Sequence, residues 1–301
     1  MRIAIDFNID ETVNSVYMLS SRVQPLFVLR DAPHSTRENI EVDLSACDYF
    51  GPVGVAILCL LIKDLRAAGH TVGVIPPVRP KLKAYAEYSG FAELCWGGPP
   101  PSFDHPRNET TPIVFATQRR DSEIRRVVQL VQRHSAMNDD MIISLQALLG
   151  ELLMNIQDHA GAEGVMTARW FPSDQTVRIV VADLGMGLKN TLSRSYSVRS
   201  DRHAIELALS NRTSSRSQSR NLGEGLPLVH TMMTRNQGDL ILASGDAIFS
   251  LIGQGRSPTT RLGALGPQTT LPGTLCALKF RIDHDLYDDD SNDDESGALE
   301  W

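Results

Sequence analysis

The segment Val177-Arg-Ile-Val-Val-Ala-Asp-Leu-Gly-Met-Gly187 decides the fold of the second half of this chain. Its first six residues are apolar except for one arginine, and three of them are valines, which predicts a buried strand. The strand ends at Asp183, and Gly185 and Gly187 follow directly. Because glycine lets the backbone turn tightly and approach a ligand, the segment predicts a strand that carries a carboxylate into a binding site.

A leucine-rich helix is predicted before this strand, from about Met141 to His159. Its leucines define one apolar face, and Glu151, Asn155 and His159 recur every four residues along a neighbouring stripe. An asparagine oxygen can hold Mg²⁺ when phosphates supply most of the remaining ligands. A carboxylate one turn earlier can act as a general base. Surface helices often carry these residue types, so this helix alone does not define a site.

Two more motifs follow along the chain. The first, Asn221-Leu-Gly-Glu-Gly-Leu226, opens an apolar helix toward Met233, and Gly223 and Gly225 would offer backbone N–H groups to phosphate oxygens. Glu224 is unfavourable beside an anion, so it must either point away from the anion or weaken the site. The second motif, Gly273-Thr274, starts a β-rich run that ends at Ile282.

The four motifs, in this order, resemble the N, G1 and G2 boxes and the Gly-Thr strand of the GHKL superfamily of ATPases. The resemblance covers residues 113–282 and implies an α/β sandwich with a mixed sheet that helices cover on one face. It implies ATP and Mg²⁺ as cofactors, with Asp183 as acceptor for the adenine amino group, Asn155 as metal ligand and Glu151 as catalytic base. The remaining nucleotide contacts that it implies are Gly185, Gly187, Gly223, Gly225 and Thr274.

Residues 201–222 occupy the position of the superfamily's ATP lid, a segment that orders over the phosphates. Three arginines in it, Arg212, Arg216 and Arg220, are candidates to meet the γ-phosphate, because guanidinium matches phosphate oxygens in shape. Arg216 is the candidate carried forward. The alternative, a solvated basic loop, is the better interpretation for at least two of the three.

Residues 1–96 predict a separate α/β unit. A strand at Ile40–Leu44, a helix at Gly54–Ala68 and a strand at Thr71–Ile75 predict a parallel pair with a right-handed crossover. A short helix from Lys81 to Ser89 follows. This part resembles the STAS domain of anti-sigma-factor antagonists.

In that family the turn before the helix that corresponds to Gly54–Ala68 usually reads Asp-Ser-Ser-Gly, and a partner kinase phosphorylates its second serine. The aligned positions here are Gly51, Pro52, Val53 and Gly54, so that hydroxyl is absent. The resemblance therefore implies docking between the units rather than phosphate transfer within the chain. A plain α/β unit without a switch is the alternative.

Composition limits the remaining possibilities. A Gly- and Pro-rich stretch, residues 97–112, predicts a linker, and residues 283–301 hold nine acids and no Lys or Arg, which predicts an acidic solvated tail. Without the tail, 29 basic residues face 27 acidic ones, so no nucleic-acid partner is expected. No apolar run approaches the length of a membrane helix, and the cysteines lack paired spacing, so we expect a cytoplasmic location.

The sequence therefore predicts an ATP- and Mg²⁺-binding regulatory protein, switched by a lid, with a protein partner on which it could act as a serine kinase. One alternative is an ATPase whose hydrolysis drives dimerisation or an effector, and another is a module that binds nucleotide without turnover. Homodimer formation stays open. His134, in a Gln-Arg-His-Ser context on one short helix, argues against a histidine autokinase.

Overall fold

A computed structural model describes residues 1–32, 37–101, 109–115, 120–135, 139–210, 225–253 and 258–282. The predicted acidic tail, residues 283–301, and most of the predicted lid lie outside these ranges. None of the helices within them is both long enough and apolar enough to cross a membrane.

Residues 1–96, the first unit, contain a parallel sheet with strand order β1-β2-β3 in the described part of the chain. The predicted parallel pairing of the strands near residues 40 and 71 is confirmed, and β3 has the predicted bounds. The elements are β1 Arg2–Ala4, α1 Val13–Arg30, β2 Asn39–Asp43, α2 Pro52–Ala67, β3 Thr71–Ile75, α3 Pro80–Tyr88 and α4 Phe91–Trp96.

Helix α1 has no counterpart in the sequence prediction. It begins after Thr12, whose side chain accepts a hydrogen bond from the Ser15 backbone N–H, a standard N-cap. Pro25 lies inside the helix on an exposed position. The buried face includes Leu19, Val23 and Leu26, and it packs into the core of the first unit.

Residues 113–282, the second unit, are built on a seven-stranded sheet with order β4-β5-β6-β10-β7-β8-β9. The strands are β4 Val114–Phe115, β5 Gly164–Phe171, β6 Thr176–Asp183, β7 Asp239–Gly245, β8 Ala247–Ile252, β9 Thr259–Ala264 and β10 Leu271–Arg281. The helices are α5 Arg120–His134, α6 Asp139–Asn155, α7 Gly187–Leu192, α8 Asp201–Leu209 and α9 Gly225–Arg235, with a π-helical turn at Ile156–Ala160.

The predicted mixed sheet is wrong for the described strands, because every pairing in this sheet is antiparallel. Short connections join β5 to β6, β7 to β8 and β8 to β9, and a short connection returns the chain antiparallel to the strand it has just left. The last strand, β10, then inserts antiparallel between β6 and β7.

Both faces of this sheet are buried. One face packs against helices of the second unit, including α5, α6, α8 and α9. The other face shares one continuous apolar core with the first unit, where α2 lies directly on β5 and β6. In β6, Val181 belongs to the first of these cores, whereas Val180 and Ala182 belong to the second, as the alternation of a strand requires.

Polar contacts cross the same interface between the units. Arg178 on β6 is paired with the buried carboxylate of Glu11, and Lys63 on α2 is paired with Glu163. Burial raises the pKa of Glu11, while the Arg178 charge opposes that rise. Thr111, near the end of the predicted linker, donates its backbone N–H to the Ala168 carbonyl on β5 at 2.8 Å. The units are therefore joined by packing as well as by the chain.

Candidate functional site

A pocket that is partly open to solvent lies between the helical layer and strands β6 and β10. Its walls come from the end of α6 and the π-helical turn, from α7 and α8, from the start of α9, and from the two strands. Most of the lining is apolar. The lining residues are Leu152, Asn155, Ile156, Ala160, Val181, Asp183, Gly187, Leu188, Thr191, Leu192, Ala208, Gly225, Leu226, Thr274 and Cys276.

Asp183 is the one acid among the described residues that line the pocket, and it is the last residue of β6. Only 5% of the residue is exposed. Its carboxylate accepts a hydrogen bond from the Gly185 backbone N–H at 2.8 Å and another from the backbone N–H of Thr274. Burial raises the pKa of Asp183 to about 6, against the effect of these two bonds. Near pH 7 the pocket therefore contains an ionised, buried acceptor.

Thr274 faces Asp183 directly across the β6–β10 pairing. Asp183 and Thr274 are about ninety positions apart in the sequence, and only the resemblance to the superfamily motifs connects them there. The antiparallel insertion of β10 beside β6 puts the Thr274 N–H next to the carboxylate, so the predicted pair is brought together.

The two glycines after Asp183 occupy positions that a side chain would obstruct. A β-carbon at Gly185 would lie 2.1 Å from the Ala160 carbonyl oxygen, so this segment packs against the π-helical turn without space for one. Gly187 has a φ of 74°, in the left-handed region, and opens α7. Both predicted glycines thus shape the backbone beside the pocket, and Gly187 lines it.

Asn155 and Glu151 lie at the end of α6, and Asn155 lines the pocket. Gly225, the first residue of α9, packs against them. A β-carbon built on it would lie 2.9 Å from the Glu151 β-carbon and 3.4 Å from the Asn155 amide nitrogen. Glu151 is half-buried one turn away and is not part of the pocket lining within the described residues. The predicted N-box and G2-box residues are therefore neighbours.

The predicted α-helix from Met141 to His159 is wrong in its last turn. The α-helix ends at Asn155 and continues as a π-helical turn, Ile156–Ala160. Such turns change the spacing of side chains and often occur at functional sites. The π-helical turn therefore interrupts the four-residue spacing on which the predicted stripe depends.

Several predicted residues lie outside the described ranges. They are Arg212, Arg216, Arg220, Gly223 and Glu224. Of the predicted lid, residues 201–210 are described, and they form α8 with Ala204, Ile205 and Ala208 buried.

Ser244 is a residue of the site that the sequence reasoning missed. Its hydroxyl donates to the Gly273 carbonyl at 2.7 Å and accepts the Leu188 backbone N–H at 2.9 Å. It thereby ties the start of α7 to the start of β10 beside the pocket. A serine inside an apolar strand was the available signal, but its two partners are not predictable from spacing.

The described residues contain no group of three or more His, Cys, Asp or Glu side chains arranged to hold a metal ion. Asn155 contributes one neutral oxygen to the pocket. A magnesium ion bound through it would need phosphate oxygens and water for the rest of its coordination. The donor set thus fits a metal that arrives with a nucleotide better than a resident ion.

Residues 114–238 match the model of a family described as the histidine kinase-like ATPase domain. The match contains α6, β6, α7 and α9, and it ends before β10. It supports the GHKL superfamily for this segment and suggests an ATP-binding regulatory function, typically with Mg²⁺. No curated protein matches the chain. The STAS-like and anti-sigma-factor kinase resemblances stay predictions.

Proposed function

We propose that the segment matching the histidine kinase-like ATPase domain binds ATP with Mg²⁺ in the pocket beside Asp183, and that this binding regulates a protein partner. One observation carries the proposal. Asp183, Thr274, Asn155 and Gly225, predicted from four separate motifs, all line a single pocket.

The pocket fits an adenine ring in shape and in chemistry. The walls that the described residues form are mainly apolar, and Asp183 supplies a buried carboxylate among them. A carboxylate accepts a hydrogen bond from the adenine amino group, whereas guanine presents an oxygen at that position. In this proposal Asp183 selects the base, and the apolar walls contact its faces.

The phosphates would lie toward the end of α6 and the start of α9. Backbone N–H groups at the start of α9 are not used within the helix and can donate to anions. Asn155 would hold Mg²⁺ together with phosphate oxygens. Arg216 is proposed for the γ-phosphate on the basis of the sequence pattern alone.

Glu151 is the candidate base in either enzymatic form of the proposal. A general base needs a carboxylate within hydrogen-bond reach of the nucleophile, and Glu151 lies one turn from Asn155 beside Gly225. The nucleophile is a serine hydroxyl of a partner if the protein is a kinase, and water if it is an ATPase. This position favours turnover over the third alternative, binding without chemistry.

The shared apolar core bears on how such a switch could work. A nucleotide that pulled the two units apart would expose the apolar faces of α2, β5 and β6, at a cost of about 25 cal/mol for each Å². We therefore propose that the units stay docked, and that ATP acts through residues 201–222 and a partner protein that binds them. Cytoplasmic location and a homodimer remain expectations from the sequence.

The test combines binding and turnover on the purified full chain. Calorimetry with ATP, ADP and GTP, with and without Mg²⁺, should show Mg²⁺-dependent binding and a preference for adenine. Phosphate release, and transfer of labelled phosphate to co-purifying proteins, then separate ATPase, kinase and binding module. Absence of nucleotide binding at millimolar concentration would overturn the proposal.

A further inference from the structure

Helix α1 of the first unit reaches both backbone segments that carry the adenine-site residues. The Arg30 guanidinium donates a hydrogen bond to the Leu184 carbonyl oxygen at 2.8 Å. Six residues earlier, Gln24 accepts the Thr270 backbone N–H at 3.0 Å and donates to the Thr270 hydroxyl at 3.3 Å. Leu184 follows Asp183 at the end of β6, and Thr270 directly precedes β10, which carries Thr274.

Asp183 and Leu184 face opposite layers of the molecule. Neighbouring residues at the end of a strand point to opposite sides of a sheet. The Asp183 carboxylate lines the pocket, whereas the Leu184 side chain is buried in the core shared with the first unit, where 4% of it is exposed. A displacement of Leu184 would therefore redirect the neighbouring carboxylate.

The Arg30 side chain is held in place on the other side as well. It pairs with Asp31 at 2.7 Å and with Asp64 of α2 at 3.6 Å, and it is 12% exposed. Two carboxylates fix the direction of the planar guanidinium, so little further ordering is needed for its bond to the Leu184 carbonyl. Burial raises the pKa of Asp64, and the Arg30 charge opposes that rise.

The segment after Leu184 is glycine-rich, and its anchors within the second unit are few. It contains Gly185 and Gly187, whose backbones have more accessible conformations than other residues in the unfolded chain. The Asp183 carboxylate accepts the Gly185 N–H, the Ala160 carbonyl accepts the Met186 N–H at 3.0 Å, and the Asn190 amide donates to the Met186 carbonyl at 2.9 Å. The bond from Arg30 adds a restraint from the first unit at the Leu184 carbonyl, where this segment begins.

We propose that the first unit positions the adenine-recognition segment, with Arg30 as the positioning residue that fixes Leu184 and thereby the direction of the Asp183 carboxylate. The effect of Arg30 on nucleotide binding rests on the proposed function. The structural part, restraint of residues 184–186 by Arg30, is measurable without any nucleotide.

The experiment compares Arg30→Ala with Arg30→Lys and two matched controls in the full chain. Arg22→Ala removes an arginine from the same helix that contacts Asp6 and the Ala4 carbonyl, within the first unit. Asp64→Asn removes the longer of the two ion pairs of Arg30 and keeps both the pair with Asp31 and the bond to Leu184. Lysine at position 30 retains a long, positively charged donor, and therefore separates loss of the hydrogen bond from loss of a bulky side chain.

Amide hydrogen exchange of Gly185 and Met186 is the measurement in the absence of nucleotide. We expect exchange about tenfold faster in Arg30→Ala, the factor for loss of one hydrogen bond to a charged donor, and rates near wild type in both controls. With nucleotide, the ATP affinity and the ATP-to-GTP affinity ratio should both fall by a similar factor in Arg30→Ala. Arg30→Lys should be intermediate.

Unchanged exchange at Gly185 and Met186 in Arg30→Ala would overturn the proposal. An unchanged ratio of ATP to GTP affinity in Arg30→Ala, combined with lower thermal stability, would also overturn it. That result is expected if Arg30 only stabilises the fold. If wild-type protein binds no nucleotide, the proposed function fails, but the exchange comparison still decides whether Arg30 restrains the segment.

Discussion

Substitution of Asp183 by asparagine tests the central residue of the pocket, and the pH dependence of wild-type binding tests it a second time. The carboxylate is buried, and burial raises its pKa to about 6. With that pKa, ionised carboxylate outnumbers the acid about tenfold at pH 7, and the ratio is reversed at pH 5. If only the carboxylate accepts the adenine amino group, ATP affinity should fall about tenfold over this range.

In Asp183→Asn the charged acceptor is lost at every pH. A hydrogen bond to a charged group contributes about 1.5–3 kcal/mol, so ATP affinity at pH 7 should fall by about 10- to 150-fold. The ratio of wild-type to mutant affinity should decrease as the pH falls from 7 to 5. Ionisation of the nucleotide phosphates affects both proteins, and it cancels in this ratio.

The same substitution should leave the fold intact. A carboxyl whose folded pKa is raised from 3.8 to about 6 stabilises the protein most below pH 4, and this contribution is lost as the pH rises through 6. At pH 8 the raised pKa of Asp183 lowers the free energy of unfolding by about 3 kcal/mol. Asparagine does not ionise, so the mutant does not have this loss. The amide oxygen of asparagine can still accept the Gly185 N–H. We therefore expect a melting temperature at pH 8 no lower than that of wild type.

Calorimetry with ATP and GTP between pH 5 and 8, for both proteins, is the assay, with thermal unfolding as the control for folding. Equal ATP affinity in the two proteins would refute the assignment of Asp183. So would wild-type binding that does not distinguish ATP from GTP.

Three further predictions concern the proposed chemistry. Asn155→Ala should mainly remove the Mg²⁺ dependence of ATP affinity, and normal Mg²⁺ dependence in titrations of the mutant would contradict its role as metal ligand. Glu151→Ala should keep ATP affinity near wild type and lower turnover by about 10²–10⁴. The control is Asp140→Ala, which replaces an exposed acid at the other end of α6 and should change neither quantity. Phosphate release that is retained in Glu151→Ala would exclude Glu151 as the base. Incubation with labelled ATP should leave no stable phosphate on the first unit, because Val53 is fully buried and lacks a hydroxyl; phosphate on Ser45, detected by peptide mapping, would show a different acceptor.

The sequence predicted several local features of the structure. The strand that ends at Asp183 follows from the apolar run before it, and β3 has the predicted bounds. Gly185 approaches Ala160 too closely for a side chain, so a glycine is required there by the protein's own packing, whereas the sequence argument expected it for approach to a nucleotide. These features depend on a few neighbouring residues, and periodicity and turn chemistry are encoded at that range.

The non-local features were not predictable in the same way. The bond between Gln24 and Thr270 joins residues that are 246 positions apart, and no pattern in either segment specifies the other. Strand β6 is apolar on both faces, and such a run shows burial without identifying what covers each face. The sequence therefore gave no indication that α2 would cover the sheet, and the sheet's direction of pairing was predicted wrongly.

Helix α2, in which every residue from Pro52 to Ile62 is buried, has a consequence for how the protein is made. The ribosome synthesises it roughly 100 residues before β5 and β6, a delay of about 5–20 s at usual translation rates. During that time the face of α2 that packs on β5 and β6 is uncovered and is exposed to other nascent chains and to chaperones. Completion of the first unit therefore has to wait for the second, although it is translated first.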